Sequence, residues 1–222
     1  MSAALSAVVL DFGGPVLRTP FELLRGGERA AGLPAGSLDW TGPFDPGADA
    51  DWQLMQSGGI TERAYWQRKA DRFAELTGRE ATFQGLMDVL FAADESELVR
   101  PAAAALVEDA RAAGLAVSVC TNDLEAFHGR EWMARISVLS RLDLLVDGSV
   151  EGVLKPDPRI YRLVLERLGR PAHECLFVDD QPGNVEGALS VGLAAEWFDV
   201  TRPDESWAAV RRRLGLAPGD EP

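Results

Sequence analysis

Cysteine, histidine and positive charge are all scarce in this chain. Two cysteines, Cys120 and Cys175, occur among 222 residues. Both sit in apolar, strand-like runs, "LAVSVC" and "CLFVDD", so buried core thiols are expected rather than a disulfide or redox pair. Lys plus Arg number 22 against 35 Asp plus Glu, a net charge of −13. A surface that acidic repels nucleic acid and anionic membranes, so neither is expected as a partner. A small anionic substrate stays open, because a metal or a few local groups can reverse the field inside one cleft. Long apolar runs are missing too, and none approaches the ~20 residues that cross a bilayer. The opening "MSAALSAVVL" has no basic region before its first strand pattern. These absences lead to the expectation of a soluble, cytoplasmic protein. No internal repeat or low-complexity tract is visible.

What is present is apolar and alternating. Hydrophobic residues make up 46% of the chain, enough for one sizeable core with an accessory lobe. Four short runs, "AVVLD", "LAVSVC", "LDLLV" and "CLFVDD", lack polar alternation, as parallel strands covered on both faces should. "AAEWFD" is a weaker fifth. Helical patterns separate most of them. Pro101 opens one that Gly114 closes. "DPRIYRLVLERLG" places Ile160, Leu163, Val164 and Leu168 on one face, and "PGNVEGALSVG" is another. A last helix runs from about Asp204 to Leu214, and "APGDEP" reads as a frayed tail. This alternation predicts an open α/β sheet. Residues 19–99 break it. They hold no convincing strand and several helical pieces, among them "ITERAYWQRKADRFAELTG" with Trp66, Ala70 and Phe73 near helical spacing. The expected organisation is a discontinuous core of residues 1–18 and 100–222, with an inserted helical lobe at 19–99.

Ligands of parallel α/β sheets bind at the carboxyl ends of the strands. Asp11 follows the first run. Thr121, Asn122 and Asp123 follow the second, and Lys155 lies in the loop after the third. Asp179 and Asp180 end the fourth, with Asn184 just beyond. Singly, each also reads as an ordinary turn or capping residue. A carboxylate, a hydroxyl–amide pair, a lysine and a carboxylate pair, each at a strand end, form a set that chance placement does not explain.

The set resembles the haloacid dehalogenase superfamily, whose members are mostly phosphatases. Asp11 matches the nucleophile motif and Thr121 the hydroxyl motif. Lys155 in "VLKPDPRIY" matches the lysine motif, and "VDDQPGNVEGA" the acidic motif. The 19–99 block matches the helical cap that many members insert after the first motif. The resemblance implies a Rossmann-like three-layer α/β core, a Mg²⁺ ion and an aspartyl-phosphate on Asp11. It also implies metal ligands from Asp11, Asp180 and the Gly13 main-chain oxygen, with Asp179 and Asn184 holding the metal's waters. Lys155 would neutralise phosphoryl charge and orient Asp11. Thr121, with backbone N–H groups of Phe12, Gly13 and Asn122, would hold the transferring oxygens. Gly13 and Gly14 would let the backbone come close to the phosphate.

One carboxylate is missing. Most phosphatases of this family carry an aspartate where this chain has Gly13, and such acid–base help is worth roughly 10²–10⁴-fold. Pro15 is a second departure, since it has no N–H. Three readings stay open. The first is a Mg²⁺-dependent phosphatase for small phosphorylated metabolites with good leaving groups, resembling a subgroup with an Asp-x-Gly-[Gly/Asn]-Val type motif. The second is a metal-independent 2-haloacid dehalogenase, against which the acid pair Asp179–Asp180 speaks. The third is an inactive relative kept as a binding module. Asp123 and His128 follow the hydroxyl motif as substitutes for the missing acid, though both read more simply as ordinary polar surface residues. His173 precedes a strand, at the wrong end for the cleft. Trp40, Trp52 and Trp66 read as packing of the lobe, and Arg18 and Thr19 stand at its first junction. A monomer or homodimer is expected, and the substrate is not named by any residue type in the lobe.

Overall fold

A computed structural model describes residues 4–217 of the chain. "APGDEP" lies outside that range from Pro218 on. The chain divides into two compact units: residues up to Arg18 with those from Glu95 onward, and Thr19–Asp94. The first contains a five-stranded sheet of β1 (Ala7–Leu10), β2 (Ala116–Thr121), β3 (Leu144–Asp147), β4 (Cys175–Asp179) and β5 (Ala194–Trp197). The order is β3-β2-β1-β4-β5, and every pairing is parallel. β1 is central, with Leu10 opposite Val119 on one side and Val178 on the other. The chain leaves β1 for β2 and β3 on one flank, then crosses to β4 and β5 on the other. The carboxyl end of β1 is therefore the topological switch point, where such sheets open a crevice.

The uninterrupted apolar runs are explained by burial on both faces. Ala7, Val9, Cys120, Val146, Cys175 and Phe177 share a core with Ile160, Tyr161, Val164 and Ala188, which come from the helices Pro158–Leu168 and Pro182–Ser190. The alternate residues Val8, Leu10, Val117, Val119, Leu176 and Val178 are equally buried. The helix Pro101–Ala112 buries Ala103, Leu106, Val107 and Ala110 and packs on β2 and on the helix Pro203–Leu214. Both cysteines are free and buried; burial pushes the Cys120 thiol up to about 12 and the Cys175 thiol up to about 11, so neither is a reactive thiolate. Residues 95–99, which the sequence pattern assigns to the lobe, cluster with the sheet instead. The reason is a narrow antiparallel ribbon: Leu17 bridges Val99, Arg18 N–H donates to Leu98 O at 2.8 Å, and Arg100 N–H donates to Val16 O at 2.9 Å.

The second unit is helical, with Pro20–Ala31, Ala50–Gln56, Glu62–Thr77 and Phe83–Leu90 as its main elements. Thr19 and Glu22 form a capping box that starts the first helix. Gly27 brings that helix against the last one; a Cβ there would lie 2.6 Å from the Leu90 Cδ2. Phe21, Trp52, Tyr65 and Trp66 form one aromatic cluster, with Tyr65 and Trp66 rings 5.0 Å apart. Beneath it Asp49 accepts from the Tyr65 hydroxyl at 2.8 Å, from Trp52 N–H at 3.0 Å and from Lys69 Nζ at 3.2 Å. Although burial alone would raise its pKa, these donors hold the Asp49 carboxyl below its usual range. Trp40, Trp52 and Trp66 are all buried, which is the packing role expected of them. Among the described residues no helix is long and apolar enough to cross a membrane.

Candidate active site

Asp11 stands one residue beyond β1, its N–H donated to Val178 O at 2.8 Å. The residue is 8% exposed. Its Oδ1 accepts from Phe12 N–H at 2.7 Å and from Lys155 Nζ at 2.8 Å. Both donors fall on that oxygen. Lys155 Nζ also reaches Asp179 Oδ2 at 2.6 Å, so one buried ammonium bridges two buried carboxylates. Burial pushes the Asp11 carboxyl up from 3.8 to about 7, with Lys155 opposing and the Asp179 charge adding to the rise. Burial disfavours the Lys155 charge, but Asp11 and Asp179 outweigh it and hold the ammonium protonated well above its ordinary pKa.

Asp179, at the end of β4, is wholly buried and surrounded by donors. Its Oδ1 accepts from Gln181 N–H at 2.8 Å and from Asn184 Nδ2 at 3.0 Å; its Oδ2 accepts from Asn184 Nδ2 at 3.1 Å as well as from Lys155. Asp180 follows, its Oδ2 accepting from Gln181 Nε2 at 3.2 Å. Asp11, Asp179 and Asp180 each offer a carboxylate oxygen, and the three oxygens lie within 4.8 Å of one another. A Cβ on Gly14 would sit 2.9 Å from the Asp180 Cγ. Gly14 has φ 87°, a left-handed conformation that glycine adopts without cost. The close approach of this turn is thus to the Asp180 carboxylate.

The structure brings Asp11, Lys155, Asp179, Asp180 and Asn184 together. Thr121 ends β2, one strand from Asp11, and is 6% exposed. Asn122 is used differently from the expectation for its main chain alone: its side chain clamps Lys155, accepting from Lys155 N–H at 2.7 Å and donating to Lys155 O at 3.2 Å. The Phe12 N–H, expected to face a phosphoryl oxygen, is held by Asp11 Oδ1. Neither Thr121 nor Asn122 caps the next helix. That helix, Leu124–Met133, has Asp123 as its N-cap, and the Asp147 carboxylate takes the Glu125 N–H at 2.6 Å. Asp123, at 7% exposed, and His128 are both buried rather than on the surface where the sequence placed them. His128 stacks on Trp132, ring centroids 4.1 Å apart, and burial pushes its pKa down to about 4. His173 lies in the turn Ala172–Glu174 that precedes β4, at the opposite end of that strand from Asp179.

Three framing residues carry no local sequence signal. Arg100 Nε donates to Gly14 O at 2.7 Å, Trp197 Nε1 to Asp180 O at 2.9 Å, and the Tyr161 hydroxyl to Asn184 O at 2.8 Å. Each is joined to the site through a main-chain carbonyl, which no side-chain motif encodes.

A family model described as haloacid dehalogenase-like hydrolase matches residues 6–192. Acyl-CoA dehydrogenase family member 10 from Mus musculus is 28% identical over 95% of this chain, which spans only 19% of that protein's length. Phosphatase MT3486 from Mycobacterium tuberculosis is 30% identical over 88% of each chain. (S)-2-haloacid dehalogenase 4A from Burkholderia cepacia is 29% identical over 64% of this chain and 65% of its own. Among solved structures, the HAD-hydrolase YfnB from Bacillus subtilis, bound to magnesium, superposes with a TM-score of 0.66. Its identity is 15%, over 89% of this chain and 88% of that one. The matched length and the shared α/β architecture place this chain in the haloacid dehalogenase-like hydrolase family.

Proposed function

We propose that the chain is a Mg²⁺-dependent phosphomonoester hydrolase, acting on a small phosphorylated metabolite with a good leaving group through an aspartyl-phosphate on Asp11. The observation that carries this reading is the convergence of three carboxylate oxygens within 4.8 Å beside a single ammonium. Lys155 balances one of those charges, and the excess suits a hard divalent cation with oxygen ligands. Asp179 is committed to Lys155, Gln181 and Asn184, so Asp11, Asp180 and the Gly13 carbonyl are the proposed direct ligands. The cation would screen the dianionic substrate from the nucleophile and polarise the phosphoryl group.

The residues of the chain supply the rest. Lys155 holds Asp11 Oδ1 and faces the phosphoryl charge. Asp11 attacks phosphorus through its other carboxylate oxygen, the P–O bond to the leaving group breaks, and the leaving group's oxygen departs with the bonding pair. Thr121 and the Asn122 backbone hold the phosphoryl oxygens. Water then attacks phosphorus, releasing inorganic phosphate and the Asp11 carboxylate. Without a carboxylate at position 13, neither the departing oxygen nor the attacking water has an evident proton partner. Leaving groups that need little protonation, such as anomeric or acyl phosphates, are therefore favoured, and phosphoenzyme breakdown should be slow.

The same missing carboxylate also fits a 2-haloacid dehalogenase, since a halide leaves unprotonated. Asp180 weighs against it, because a second carboxylate beside the nucleophile repels a carboxylate substrate unless a cation intervenes. The test is hydrolysis of a panel of phosphorylated metabolites, with Mg²⁺ and with excess chelator, beside halide release from 2-haloacids. Mg²⁺-dependent phosphate release that Asp11→Asn abolishes is expected. Chelator-insensitive halide release without phosphate release would replace this reading with the dehalogenase. Tight binding of a phosphometabolite without turnover would replace it with the binding module.

A further inference from the structure

Between β1 and Arg18 the chain makes one closed turn, with Leu17 N–H donating to Phe12 O at 2.8 Å. Gly13, Gly14 and Pro15 lie inside it. Consecutive glycines have the greatest backbone freedom of any pair, and Pro15 offers no N–H to fix their geometry. Glycine and proline preferences alone do not fix such a turn; a bridge between Gly13 and Leu17 closes it locally. It is also gripped from outside. The Arg100 guanidinium, on a residue only 4% exposed, donates from Nε to Gly14 O at 2.7 Å. Its own backbone N–H donates to Val16 O at 2.9 Å. Its guanidinium carbon lies 5.9 Å from the centroid of the Phe198 ring, and Phe198 N–H donates to Asp179 O at 2.9 Å. One buried cation is thus fastened to the turn after β1 and packed on the residue that closes the exit of β4. Burying a cation is costly unless its geometry is used, and a guanidinium offers donors in a fixed plane that an ammonium does not.

We propose that Arg100 is a positioning residue of the candidate site. It fixes the Gly14 carbonyl, and with it the backbone that carries Gly13 and brings Gly14 against the Asp180 carboxylate. The proposal rests on the metal-dependent reading for one of its two readouts only. Backbone amide exchange over residues 12–17 is followed by mass spectrometry in the metal-free full chain, and Mg²⁺ binding is titrated by calorimetry. Arg100→Ala is expected to speed exchange in the turn, and to weaken Mg²⁺ binding, by about tenfold each, while β4 exchanges at the wild-type rate. Arg100→Lys is expected to restore only a small part of either, because an ammonium keeps the charge but not the fixed plane of donors. If Arg100→Ala does not fold, Arg100→Gln serves, with the same selective loosening expected. Turn exchange at the wild-type rate in a folded variant would overturn the proposal. Faster exchange spread evenly over the sheet, or a looser turn with unchanged Mg²⁺ affinity, would reduce Arg100 to a stabilising residue and overturn it equally. If the wild-type protein takes up no Mg²⁺, the metal reading fails, and the exchange comparison alone decides the role of Arg100.

Discussion

A Cβ built on Gly13 meets no heavy atom within 4 Å, whereas one built on Gly14 would press on the Asp180 carboxylate. Only Gly14 has a positive φ. The sequence offers the two glycines as equivalents, both reading as close backbone approach; the structure separates them. Gly14 is required by conformation and by contact. Gly13 is required by neither, so a side chain there costs the fold little. Gly13→Asp should therefore fold normally and, under the proposed function, supply the absent acid. Its kcat on an alkyl phosphate should rise about 10²-fold, with a much smaller change on an aryl phosphate whose leaving group needs no proton. Equal change on both would show that the new carboxylate does not reach the leaving oxygen. Gly14→Ala should do harm instead, costing more than about 1 kcal/mol in urea unfolding and weakening Mg²⁺ binding by displacing Asp180. Arg100 marks the limit of legibility at this scale. Its bond to Gly14 spans 86 residues of chain and ends on a carbonyl, so no local pattern around Arg100 encodes it.

The strands were legible for a physical reason. A parallel strand buried on both faces must be apolar throughout, and "AVVL" and "CLFV" are. The helix Pro158–Leu168 was equally plain, because Pro158 at its start and Gly169 at φ 62° mark both ends. The helix Leu124–Met133 was not. Gly129 breaks it with φ 73° and ψ 162°, and the break comes directly after the buried His128, which stacks on Trp132. That burial has a consequence for stability. Burial lowers the His128 pKa from 6.5 to about 4, so between those values the unfolded chain binds the proton and the folded chain does not. The stabilisation of the folded state is complete above about pH 6.5 and is lost as pH falls towards 4. From pH 7 to pH 5 the loss through this one group is about 2 kcal/mol. Urea unfolding at the two pH values should show the wild type losing that much more stability than His128→Gln. Equal losses would mean that the imidazole already carries its proton in the fold.

At the scale of the whole molecule, lysine is placed rather than scattered. The chain has two lysines, and both are buried against carboxylates, Lys69 beside Asp49 and Lys155 between Asp11 and Asp179. The sequence shows Lys155 as a loop residue after the third strand. It becomes the bridge between β1 and β4 only through a topology that brings those strands side by side at the switch point. Everything beyond that centre is dominated by the net charge of −13. Under the proposed function, a dianionic phosphomonoester approaching from solution therefore meets a repulsive field at long range and an attractive one only within the crevice, where Mg²⁺ with Lys155 would offset the carboxylates. Salt screens the first more than the second, because the Debye length shortens to about 10 Å at 0.1 M while buried charges are screened little. Under the proposed function, kcat/KM for such a substrate should rise two- to threefold, roughly, as ionic strength goes from about 20 to about 200 mM at saturating Mg²⁺, with kcat unchanged. Steady-state kinetics in an inert salt would measure it. A fall over the same range would mean that the field of the metal-loaded crevice extends beyond the acidic surface and steers the substrate in.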